Sequence, residues 1–126
     1  VSNWHLPFKF INHSGLAITE LNGLYNKCAA GLVLSMSNMS LLPMELMSSG
    51  VVPVVNDALN NRMVWDSEFI NYVSPTPLAI SRALQHALSR EDAVERSIAM
   101  SNSVGTLDWE DSGHAFVASF ERAMRG

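Results

Sequence analysis

The residues best placed to do chemistry lie in one short stretch. A loop of small polar and apolar residues, Ser37–Leu42 (SNMSLL), runs into a helix opened by Pro43, and an acid, Glu45, stands one turn in. A loop entering a helix offers backbone N–H groups without partners and the positive end of the peptide dipoles, a ready seat for a diphosphate. A carboxylate at that mouth suits paired hydrogen bonds to a cis-diol such as a ribose, and repels phosphate. An acid in a first turn also stabilises the helix for dipole reasons alone, so the spacing leaves Glu45 open between a ligand contact and a structural residue. The remaining chemistry-bearing types form no set. No Ser/His/Asp arrangement or carboxylate pair stands out, and His5, His13, His86 and His114 lack ligand-like spacing, so no metal is expected. His13 follows a strand-like segment and reads as a turn residue, His86 as a surface residue of a helix.

The elements that must carry this stretch read as α/β. Phe8–Asn12 (FKFIN) alternates apolar and polar and predicts a first strand, with Lys9 on its solvated side, and His13–Gly15 a turn. A helix capped by Thr19 runs to about Cys28, with Leu21, Leu24, Tyr25 and Cys28 on one face. Gly31–Ser35 is a continuous apolar run and predicts a strand buried on both faces. The helix at Pro43–Ser49 stops at Gly50. Val51–Val55 predicts a third strand, in which Pro53 argues for an edge position or a late start to the pairing. Asp57–Val64 holds a helical turn and Phe69–Val73 a fourth strand. Thr76–Pro77 caps a helix with an apolar stripe from Ile80 to Leu88. Ser89 and Asp92 resemble a capping box for a helix of about 91–102. Asp108 caps a last helix, 109–125, whose Trp109, Phe116, Phe120 and Met124 stripe reads as core packing. The order predicts a Rossmann-like, mainly parallel sheet of about four strands flanked by helices, with ligands at the C-terminal strand ends.

Composition narrows the function classes. The 126 residues fit one domain, and a 48% hydrophobic content is enough for a core. With net charge −4, two lysines and six scattered arginines, binding nucleic acid by phosphate neutralisation is excluded. No apolar run reaches the length of a membrane span. The single cysteine, Cys28, excludes an internal disulfide framework, suits a cytoplasmic setting and reads as a buried small residue. Val1–Pro7, with Trp4 and His5, reads as the tail of a truncated upstream part.

From Leu24 to Asn56 the chain resembles the C-terminal domain of retaining GT-B glycosyltransferases of the family 4 type, also called group 1. Tyr25 opens the resemblance, Gly31–Ser35 takes the apolar strand, and Pro43 lies near the family's proline. Glu45 falls on the second glutamate of the family's motif, Met47–Gly50 follows, and Pro53–Val55 matches a Pro-Val-Val strand. Asn71–Val73, Pro77–Leu88 and Leu107–Glu110 extend the likeness over about residues 8–125. A looser likeness, through Ser40–Met47 and the Asn56–Asp57 pair, points to a rhamnosyltransferase branch related to S-layer glycan assembly, with a dTDP-linked L-rhamnose donor.

The resemblance implies a single nucleotide-sugar-binding domain, residues 1–126, taken from a longer cytoplasmic enzyme of polysaccharide biosynthesis. Glu45 would bind the nucleotide ribose, and the backbone of Ser40, Leu41 and Leu42 the diphosphate. The sugar-contacting first glutamate is replaced by Ser37, so Ser37 or Asn38 would meet the sugar without charge. No catalytic residue falls in this fragment, which is expected to bind a nucleotide weakly and transfer nothing alone. The donor is a nucleoside diphosphate sugar used as substrate, with no cofactor. A glycan or lipid-linked acceptor would come through a missing N-terminal domain, with room for peripheral membrane association. The alternative is a degenerate, non-catalytic interaction module, which Ser37 favours and Glu45 opposes.

Overall fold

A computed structural model of the chain describes residues 7–125; the expected tail with Trp4 and His5 falls outside them. The elements run α1 (Ile18–Tyr25), β1 (Ala30–Val33), α2 (Leu42–Ser48), β2 (Val52–Asn56), α3 (Leu59–Val64), β3 (Asn71–Val73), α4 (Pro77–Leu88), α5 (Ala93–Val104) and α6 (Trp109–Arg125). The described sheet has three strands in the order β1-β2-β3, both pairs parallel. The expected α/β class stands. The count of about four strands does not: the expected first strand, Phe8–Asn12, joins no sheet, and Phe8 and Ile11 are exposed, whereas the expected fourth appears as β3. Period-two alternation shows that a segment can lie extended. It supplies no neighbour, and a strand exists only with a partner ladder.

Pro53 sits in the central strand and shows how a proline is tolerated there. The Val52 amide donates to the Ala29 carbonyl on the β1 side. Alternation then aims the missing Pro53 donor toward β3, whose pairing begins only at Val54 opposite Asn71. The late start, and not the edge position, is the correct alternative. Adjacent Val54 and Val55 point to opposite faces and are both fully buried, so β2 is covered on both sides. Packing against it are α2, which lies on β1 and β2, and α4, which runs against all three strands. β1 departs from its expectation, since Leu32 and Leu34 are exposed. As an edge strand of this sheet it is buried mainly through Val33.

The core gathers where α2 meets α5: Met47, Val51, Val55 and Met100 are fully buried there, with Leu46 beside them. A Cβ on Gly31 would lie 2.6 Å from Leu46 Cδ1, so the glycine lets α2 settle directly on β1. The end of α2 is fixed by a Schellman motif, in which Gly50 N donates to Met47 O at 2.9 Å and Val51 N to Leu46 O at 2.9 Å. Gly50 has φ +74°, and a Cβ there would meet Ser97 Oγ at 2.1 Å. That hydroxyl donates to the Gly50 carbonyl, as Ser101 Oγ does to Ser48 O. Gly50→Ala is therefore expected to lower stability by about 2 kcal/mol, from left-handed strain and the displaced serine. Urea unfolding followed by circular dichroism measures this; an unchanged midpoint would contradict the geometry.

Three further expectations are corrected. Cys28 is exposed: α1 ends at Tyr25, and the cysteine lies beyond the half-buried Leu21, Leu24 and Tyr25. Thr19 lies inside α1; the helix start is instead closed by Glu20, whose carboxylate accepts from the Ala17 amide at 2.8 Å. The α6 stripe is no core. None of its residues is buried, and Trp109 and Phe116 are largely exposed. An apolar period marks a face that can be covered; it does not say what covers it. The α5 start also differs, since the Asp92 carboxylate pairs with Arg90 and makes no cap bond. Thr76 and Asp108 do cap their helices, accepting from the Ala79 and Glu110 amides.

Candidate functional site

Parallel pairing brings the C-terminal ends of β1 and β2 side by side, so the loop after β1 lies against the start of α3. The loop, residues 34–41, is held from that side by three asparagines. Asn56, the last residue of β2, accepts from Ser35 N at 2.7 Å and donates to Ser35 O at 2.9 Å. Asn61 donates to Ser35 O at 3.3 Å and to Asn56 O at 2.9 Å. Asn60 donates to Ser37 O at 2.7 Å and to Asn61 Oδ1 at 3.2 Å. Asn56 and Asn61 are buried, and among the described residues no buried side-chain polar atom lacks a partner. From within, Ser35 Oγ donates to Asn38 O, and Met39 plants a fully buried side chain beneath the loop.

This scaffold places the residues expected from the sequence as follows. Ser37 is exposed, and its carbonyl is taken by Asn60. Asn38 is exposed, and its Oδ1 accepts from Ser40 N at 3.0 Å. The Ser40 amide is thus engaged within the loop, at a residue with φ +50°. α2 starts one residue earlier than expected, with Leu41 as N-cap, Leu42 first and Pro43 second. Among the described residues no acceptor reaches the Leu41, Leu42 or Met44 amides. Glu45 is exposed, and its carboxylate lies 3.4 Å from the Tyr25 hydroxyl. Burial, then the Glu45 charge and its hydrogen bond, push the Tyr25 hydroxyl above its ordinary pKa, so it remains a proton donor to the carboxylate at neutral pH.

Glu45 opens onto a cleft of about 940 Å³, walled by α2, the end of α3 and the first turns of α6. Trp65, Trp109 and Met44 line it with flat or apolar surface; Glu45, Asp108 and Asp111 supply carboxylates, and among the described residues no Lys, Arg or His contributes to its lining. Such a cleft suits a neutral, hydroxyl-bearing or aromatic group and disfavours a phosphate inside it. Leu41, whose amide is open, stands at its lip. A second cleft of about 850 Å³ lies between β3 and α4 and is lined in part by Arg62, Arg82 and His86. Arg62 is already engaged by Asp57 at 2.6 Å and Asp66 at 2.8 Å. It holds the Asp57 carboxyl below its ordinary pKa through their hydrogen bond.

Residues 8–85 match the family described as the C-terminal domain of WsaF, well over half the chain. The chain belongs to the WsaF C-terminal domain family. No curated protein and no solved structure matches it. The WsaF domain is associated with glycosyltransferases. The match takes in the whole asparagine-held loop, Tyr25 and Glu45. It ends before α5 and α6, which build one wall of the cleft.

Two groups of residues in this WsaF-type site escape a reading of the sequence. Tyr25 counts there only as an apolar-face residue and a motif start, although its hydroxyl is what reaches Glu45. Asn56, Asn60 and Asn61 carry a visible signal, three amides in six positions after a buried strand. Asparagine so commonly marks turns that the cluster reads as loop punctuation. Among the described residues no group of three His, Cys, Asp or Glu is arranged to hold a metal ion, and no helix is long and apolar enough to cross a membrane.

Proposed function

We propose that this WsaF-type domain is the donor-binding part of a retaining GT-B glycosyltransferase of the family 4 type. It holds a nucleoside diphosphate sugar whose sugar passes to a glycan or lipid-linked acceptor. The carrying observation is Glu45: its carboxylate is exposed, on the first turn of α2, at the edge of a cleft with aromatic walls. In this arrangement Glu45 takes the hydroxyls of the nucleoside sugar, the 2′ and 3′ pair in a ribonucleotide and the 3′-hydroxyl alone in a dTDP donor, the base lies against Trp65 or Trp109, and the diphosphate sits at the Leu41 and Leu42 amides. Ser37 and Asn38, exposed on the loop, face the sugar without a charge, which suits a deoxysugar with fewer groups to hold. A dTDP-linked L-rhamnose is the donor we favour on that ground. The protein's contribution to transfer is electrostatic: preformed amide dipoles stabilise the nucleoside diphosphate as it leaves.

A second reading, a non-catalytic interaction module, is favoured by Ser37 at the first acidic position and by the absence of a basic lining residue. Calorimetric titration of the chain with UDP and dTDP separates the two. Donor binding predicts measurable heat with at least one nucleotide, and no transfer by the chain alone. A silent titration with both supports the interaction module.

A further inference from the structure

The asparagine cluster does more than satisfy its own burial. Asn61 is fully buried and Asn56 nearly so, and a buried primary amide is costly unless its donors and acceptor are paired. In this chain the amides reach from the end of β2 and from α3 to the β1–α2 loop: Ser35 is held at both N–H and C=O, and Ser37 at its carbonyl. Bonds inside the loop and the buried Met39 help to shape it, and the asparagines are what tie the loop backbone to β2 and α3. The loop lacks regular structure, and its Ser40 turns through the left-handed region. If the loop moved away, the Asn56 amide would lose both of its partners and Asn61 one of its two acceptors, so loop and amides are coupled.

We infer that Asn56, Asn60 and Asn61 form a clamp that sets the loop in its ligand-ready shape before any ligand arrives, with Asn60 as the positioning residue nearest the sugar end. The assignment rests on the donor-binding reading above. Asn60 is half-buried, and its bond to Ser37 O orients the residue that stands where a donor sugar would lie. It touches no ligand itself; it acts through the Ser37–Ser40 backbone. A loop held in place beforehand loses less freedom on binding, and that saving appears as affinity.

Asn60 is the member to test, because its removal leaves the Asn56–Ser35, Asn61–Ser35 and Asn61–Asn56 bonds in place and costs the buried Asn61 only the donor at its Oδ1. Asn60→Ala and the isosteric Asn60→Asp, which cannot donate to a carbonyl, are compared with the wild-type chain by two measurements. The first is amide hydrogen exchange without ligand. Exchange at Ser40, whose amide is held within the loop by Asn38 Oδ1, is expected to rise at least fivefold in both variants, with the β2 amides unchanged, and unchanged exchange there overturns the clamp. The second is calorimetry with UDP and dTDP. The expected result is affinity about fivefold weaker in both variants, the loss of roughly one hydrogen bond's net contribution, with the thermal midpoint within a few degrees of wild type. Equal affinity in variant and wild type overturns the positioning role. A wild-type chain that binds neither nucleotide overturns the donor-binding reading and the ligand part of this assignment with it, while the exchange result still decides the clamp. A general loss of protection in β2 as well as the loop would show a merely structural residue, and also overturns the assignment.

Discussion

Asn61→Ala is expected to destabilise the chain by about 3 kcal/mol, several times the effect of an ordinary surface change. The substitution removes donors from the Ser35 and Asn56 carbonyls and the acceptor that Asn60 uses. It also leaves a void at a position of zero exposure, so a cavity adds to the lost bonds. Total stability for a domain of this size is on the order of 5–15 kcal/mol, so the loss is a substantial share. Asn61→Leu restores volume without the donors and is expected to recover only a small part. Urea unfolding of the two variants tests the claim. If Asn61→Leu were as stable as wild type, the hydrogen bonds would carry no net weight, and packing alone would explain the buried amide.

The legible parts of the fold were those whose signals are local. Pro43, Gly50 and the Thr76–Pro77 pair mark helix ends through backbone geometry that few other residues serve. Val51–Val55 was legible as a strand, but the two-sided burial expected of Gly31–Ser35 belongs instead to β2. The failures share a cause. Phe8–Asn12, Cys28 and the α6 stripe were each assigned from the pattern of a single segment, while their state depends on what lies beside them. A strand needs a ladder, and a buried face needs a cover. No property of FKFIN or of Trp109–Met124 supplies either.

The candidate site divides in the same way. The loop-to-helix junction and Glu45 were legible because a helix N-terminus with an early acid is a local arrangement. The cleft was not, since its far wall comes from Val104 and the start of α6, some sixty residues further along. Nor was the asparagine clamp, which joins residues 21 to 26 positions apart. Its register follows from the parallel pairing of β1 with β2. That pairing sets Val33 opposite Val55, and so places Ser35 and Asn56 at neighbouring strand ends.

Glu45→Ala is expected to weaken nucleoside diphosphate binding by roughly 10- to 100-fold, the range for hydrogen bonds to a charged group. Its effect on stability should be small. The carboxylate is exposed, its one side-chain partner among the described residues, Tyr25, stands at 3.4 Å, and the first-turn dipole benefit it gives α2 is at most about 1 kcal/mol. Large loss of binding with little loss of fold is what separates a ligand contact from a helix-stabilising acid, the two roles the spacing alone leaves open. Glu45→Gln refines the test. It keeps the length and one acceptor, and should fall between wild type and alanine if hydroxyls are being held. The 2′-hydroxyl supplies a chemical counterpart: dUDP should lose less affinity than UDP on Glu45→Ala, because one of the contacts is already missing. Equal losses for both nucleotides would place Glu45 away from the ribose, and an unchanged affinity would return it to a structural role.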